Sequence, residues 1–194
     1  MINVSNKQRA SFVGILIFAA YAMLTYSVIK SIAIGVITDI VSGLAVIGIP
    51  FLLFPLFNAG KNKKLNKAYI ISRFLEGLLI LIGGVLILFP SLEKYRELIY
   101  SDIQIYFFIL GALFFYMLFY RTRAIPIFIS VWGIVATILL LATTILKLFG
   151  IESQELQMLF LPVALNELFL AVWLIVKGFN LVADNDKEKR KIDR

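Results

Sequence analysis

Neither cysteine nor histidine occurs among the 194 residues. Their absence removes disulfides, thiol chemistry, the usual zinc sites, histidine-ligated haem and the nucleophile–histidine triads. Carboxylates, tyrosines, hydroxyls and amides are the polar chemistry that is left, and neither a metal nor a cofactor is expected. No two of the twelve glycines stand four apart, so the GxxxG dimer signal is missing. A phosphate-binding G-x-x-x-x-G-K-[ST] pattern is missing too, which excludes ATP-driven work by this chain alone. Charge is scarce: 16% of residues carry it, against about 25% in soluble domains.

What the chain does have is apolar sequence. With 61% hydrophobic residues and a mean hydropathy of +0.93, it reads as an integral membrane protein of one domain. The fold class expected is all-α, a bundle of six transmembrane helices over residues 1–183. About twenty apolar residues cross the roughly 30 Å hydrocarbon core, and runs of that kind fall at about 11–29, 36–57, 68–89, 103–120, 125–149 and 158–176. Lys7 and Arg9 precede the first run, which is too long for a signal-peptide core and lacks a convincing small-residue cleavage site, so it is expected to stay as a span. Pro50 and Pro55 interrupt the second run. Residues 90–102 read as a mixed-charge loop with a short surface helix, and 184–194 as a charged tail.

Fourteen of the nineteen Lys and Arg fall on the side of the two termini, including Lys61, Lys63, Lys64 and Lys67, while only Lys30, Lys94, Arg96 and Lys147 fall opposite. The positive-inside rule then puts both termini in the cytoplasm of a cell that carries the protein in its cell membrane. Basic residues placed this way set orientation, so no nucleic acid is expected as a partner despite the net charge of +7. Tyr69, Tyr120 and Trp173 near the inner boundary and Tyr26, Tyr95 and Tyr100 near the outer one read as interfacial anchors.

The third run, AYIISRFLEGLLILIGGVLILF, holds Arg73 and Glu76 inside it, three apart and so on one helical face. An ionisable group in hydrocarbon costs at least a few kcal/mol and is expected to face a partner, a cavity or a pathway. Glu76 lies about 12 Å from the cytoplasmic start of its span, and Glu167 of the sixth span about 15 Å from Lys177. At matching depth, Arg73, Glu76 and Glu167, with Asn166 nearby, are predicted to form one buried cluster that binds an ion, a proton or a polar ligand. The alternative is structural: Arg73 snorkels outward, and the glutamates bond hydroxyls such as Tyr21, Thr25 or Thr137 while pinning helix packing. Asp39 either caps the second helix at the outer surface or enters the polar interior, and with Tyr21 it is a weaker candidate for the site.

Arg9, Asp39, Arg73 with Glu76, the hairpin YRTRAIP at 120–126 and the closing PVALNELFLAVWLIVKGF at 162–179 together resemble a family of small prokaryotic multi-span proteins classed as a domain of unknown function. The resemblance covers most of the chain and implies a prokaryotic six-span protein; it supplies no activity. Members often carry a histidine in the fourth span, which this sequence lacks.

Three functions fit, in this order. The first is a small binding or transport module using the Arg/Glu cluster, with a homo-oligomer expected of so few spans. The second is a non-catalytic sensor or complex subunit meeting a protein partner or anionic membrane lipids through the basic loop and tail. The third is an intramembrane enzyme acting on a lipid through paired carboxylates, which lacks an Asp-rich metal motif and an activated nucleophile.

Overall fold

A computed structural model describes residues 5–58, 60–151, 153, 156 and 158–180; the expected tail at 184–194 lies outside them. The described residues are helical, with no strand among them. Helix α1 (Asn6–Ala20) starts at a capping box in which Ser5 and Gln8 satisfy each other's backbone N–H groups. A 3₁₀ turn, Tyr21–Leu24, leads into α2 (Thr25–Ile29). Ser42 supports that turn from the next helix, accepting from the Met23 N–H at 2.7 Å and donating to the Ala19 carbonyl at 3.1 Å.

After Lys30 in a left-handed conformation come α3 (Ile32–Phe57), unbroken through Pro50 and Pro55, and α4 (Lys63–Leu86). Next are α5 (Glu93–Leu98), a π-helical segment over Ile99–Gln104 and α6 (Ile105–Thr122), which follow one another without a break. A tight turn joins α6 to α7 (Ile127–Leu148), and α8 (Leu161–Val176) closes the bundle.

Five segments are long and apolar enough to cross a membrane: Asn6–Ile29, Ile32–Phe57, Gly60–Leu86, Pro90–Thr122 and Ile127–Leu148. The sixth, Leu161–Val176, is shorter. Their outward faces expose large apolar side chains such as Phe12, Ile37, Phe51, Val135 and Leu165, far more than a water-facing surface tolerates in one continuous belt. The architecture is that of a helical membrane protein.

The helices form a closed ring in chain order, α1–α3–α4–α6–α7–α8, with α8 packed back on α1. The third and sixth spans, α4 and α8, therefore face each other across the ring instead of packing side by side. At the end that holds Ser5 and Asn180, the Asn180 N–H donates to the Ala124 carbonyl at 2.7 Å. Aromatic rings fill this end: Phe57, Tyr69, Phe115, Phe119 and Phe179 follow one another with centroids 4.8 to 6.4 Å apart.

Three expectations change here. The stretch 90–102 is not a loop, because the helical segment starting at Glu93 runs straight into α6. Tyr69 is fully buried in the aromatic core, and Tyr26 is buried against Arg96, so neither is an interfacial anchor. Tyr100 turns inward to Asp39.

Helices α3 and α4 approach closely at two facing glycines, Gly43 and Gly77. A Cβ on Gly77 would come within 2.8 Å of the Gly43 carbonyl oxygen, and backbone cannot move aside as a side chain tip can. Gly77→Ala is expected to cost about 1–3 kcal/mol by overpacking, read as a lowered thermal midpoint, with Gly48→Ala as a comparison, since a Cβ there would meet only the tip of the Leu16 side chain at 3.2 Å.

Candidate functional site

One face of α4 builds the interior. Arg73, Glu76, Ile80 and Gly83–Gly84 recur at helical spacing along it, and all point into the ring, where they are buried. Arg73 donates to Glu76 at 2.9 Å and its other terminal nitrogen lies 3.8 Å from Glu167 of α8. At 7% exposure Arg73 stays inside the bundle instead of snorkelling. Three rings surround the guanidinium, Phe108 at 5.6 Å and Tyr69 and Phe115 each at 5.9 Å, a geometry in which ring faces and cation attract. Gly111 of α6 makes the room, since a Cβ there would sit 2.9 Å from the Arg73 Nε.

Each carboxylate has a second partner. Glu167 accepts from the Tyr21 hydroxyl at 2.8 Å, and Glu76 from the Gln104 amide at 3.4 Å. Tyr21 opens the 3₁₀ turn between α1 and α2, so the break in the first helix is what aims it at Glu167. Tyr21→Phe removes a hydrogen bond to a buried carboxylate and is expected to cost about 1.5–3 kcal/mol, measured by denaturant unfolding in detergent; an unchanged midpoint would mean that water takes over the bond.

Arg73, Glu76, Glu167 and Tyr21 thus come together, while Asn166 does not join them. Its amide donates to the Ile129 carbonyl of α7 at 3.1 Å, so it ties α8 to α7, because residues adjacent on a helix point about 100° apart. Thr137 likewise bonds its own helix at Gly133.

Asp39 is also not a cap. Ser31 holds the N-cap position, and Asp39 lies fully buried within α3. It accepts three contacts from Arg96 of α5 at 3.1 to 3.4 Å and the Tyr100 hydroxyl at 2.7 Å. Arg96 is stacked between Tyr100 (4.4 Å) and Tyr26 (4.7 Å), and Tyr26 donates to Glu93 at 3.3 Å. The glycine pair on α4 receives this group: a Cβ on Gly83 would lie 2.5–2.6 Å from the Tyr100 ring, and one on Gly84 2.9 Å from the Asp39 Cβ. At 3.6 residues per turn Arg96 and Gln104 would stand about 80° apart around the helix. The wider π turn between them brings them nearer to one face.

Between these two groups lies a cavity of about 530 Å³, within the roughly 300–1,000 Å³ usual for small-molecule sites. Lys30, Glu93 and Glu97 rim it at the end away from the chain termini; Arg73, Glu76, Tyr69 and Glu167 form its floor, and its walls are mostly apolar, among them Ile17, Ile49, Phe108 and Phe160. The aromatic core closes it towards the termini. Sequence reading missed Arg96, Gln104 and the cavity. The available signal was the burial of Asp39 in an apolar run, which calls for a cation, and the spacing of Arg96 and Tyr100 four apart on one face.

No curated protein and no solved structure matches the chain. The model of the family described as Domain of unknown function (DUF4386) matches residues 12–178, most of the chain, and the protein therefore belongs to that family.

Proposed function

We propose that the bundle is a small binding or transport module for an ion, a proton or a small polar solute, held at Arg73, Glu76 and Glu167. The observation that carries this reading is the cavity that leads from one end of the ring to those three side chains. A cluster that served packing alone would be closed over by apolar side chains, whereas this one forms the floor of a space large enough for a ligand. The charge bias of the loops supports both termini of a six-span chain lying in the cytoplasm, so the cavity would open outward. In transport the aromatic closure around Phe57, Phe115 and Phe119 would have to part, as alternating access requires.

The test is thermal unfolding of the purified protein across pH and against sodium, potassium, magnesium, calcium and a panel of small water-soluble amines, acids and alcohols. A ligand of the folded state raises its stability by mass action. A shift in wild type that Glu76→Gln or Glu167→Gln loses while still folded supports the reading. Early unfolding of both variants, with no condition shifting wild type, assigns the cluster to packing. A sensor or complex subunit would then take first place, supported by the exposed lysines Lys61, Lys63, Lys64 and Lys67 at the end of the chain termini, suited to anionic lipid or an acidic partner.

A further inference from the structure

The chain as a whole carries a net charge of +7, yet its cavity is acidic. Four carboxylates line it, Glu76, Glu93, Glu97 and Glu167, against Lys30, Arg73 and Arg96. Arg96 is already engaged by Asp39, which lies outside the lining, and Arg73 makes its short bond to Glu76. Glu167 is left with a hydroxyl and a cation at 3.8 Å, so the floor has one positive group for two carboxylates.

A second observation, independent of the acids, comes from Tyr69: its fully buried hydroxyl, at the cavity floor beside the Arg73 guanidinium, makes no hydrogen bond of good geometry among the described residues. Buried polar atoms are normally satisfied, and a bound ligand would satisfy this one. The Arg73 Nε is also unpaired, but it lies against Gly111, where a Cβ would come within 2.9 Å, and so it is not offered to the cavity. A bare metal ion fits poorly, because hard cations take six or more oxygen ligands and the walls here are apolar.

We propose that the cavity takes an organic cation: a protonated amine on a compact apolar body, with its ammonium at Glu167 and the Tyr69 hydroxyl and its body among Ile17, Phe108 and Phe160. This rests on the binding reading above and names the class of ligand. The same chemistry exists in a free amine and in the amine headgroup of a lipid.

The experiment uses the full chain in nanodiscs of phosphatidylglycerol, which offer no lipid amine. Phenethylammonium, 3-phenylpropionate and 2-phenylethanol share one apolar body and differ in charge. Phenethylammonium at about a hundredfold excess over its Kd is expected to raise the thermal midpoint by roughly 5 °C or more, and the other two are expected to leave it unchanged. Glu167→Gln should lose the shift. Ala20→Trp, which fills the cavity without replacing a charged group, should lose it as well and serves if Glu167→Gln does not fold. Abolition of the phenethylammonium shift by phosphatidylethanolamine in the nanodisc, with the same rise already present, would assign the cation to a lipid headgroup. A shift from the anion or the alcohol that Ala20→Trp removes would overturn the organic cation and leave the binding reading standing. No shift from any of the three, nor from the wider panel, overturns both.

Discussion

Arg73→Met is expected to destabilise the protein by about 3–5 kcal/mol, the range for removing one partner of a buried ion pair. The methionine fills much of the same volume among Phe108, Tyr69 and Phe115, so the loss is one of charge and not of packing. Glu76 then keeps only the long bond from Gln104 and Glu167 only the Tyr21 hydroxyl, and two carboxylates share a low-dielectric floor with no cation. Arg73→Lys should recover little. An ammonium is a point charge and cannot span Glu76 at 2.9 Å and Glu167 at 3.8 Å from separate nitrogens as the guanidinium does.

The double variant Arg73→Met/Glu76→Gln removes one charge of each sign and should be more stable than Arg73→Met alone, a positive coupling of about 1–3 kcal/mol in the cycle. Denaturant unfolding of the four proteins measures it. A loss below about 1 kcal/mol for Arg73→Met, with no coupling, would mean that the three groups are hydrated as surface pairs are, and the buried floor would have to be abandoned.

The meeting of Arg73, Glu76 and Glu167 is legible in the sequence because burial in a membrane makes each charge conspicuous and helical rise gives its depth. Depth does not give position around the ring, so the sequence could not tell that spans three and six face each other across an interior, or that a cavity lies between them. Asn166 was misplaced for the same reason: one residue from Glu167 in sequence, it belongs to the contact with α7. Residues 90–102 misled by composition. Their charges have the look of a solvated loop, and a local pattern cannot distinguish Arg96 in water from Arg96 reaching across to Asp39. The tyrosines followed suit, since Tyr26 and Tyr100 sit at the height of an interfacial belt while their rings turn inward on Arg96.

The mouth of the cavity should depend on the Asp39–Arg96 pair as strongly as the floor does on Arg73. Both groups are buried, Asp39 completely and Arg96 to 8% exposure, and Asp39 gathers the bonds that fix α5 and the π-helical segment against α3 and α4. Arg96→Met is expected to cost about 3–5 kcal/mol by leaving a buried carboxylate without its cation. Asp39→Asn should cost less, because an amide still accepts from Tyr100.

The effect is also expected to be local. The residues freed are those that carry Gln104 to Glu76, so amide hydrogen exchange over residues 93–104 should accelerate while residues 112–119, inside the aromatic core, keep their protection. The neutral pair Asp39→Leu/Arg96→Met should recover stability, as apolar replacement of a buried ion pair often does. It removes the anchor of Tyr100 at the same time, so exchange over residues 93–104 should stay fast. Recovery of both stability and protection in that double variant would show that packing, not the ion pair, sets the register of the π-helical segment; fast exchange in a stable protein would show that the ion pair sets how the cavity is entered.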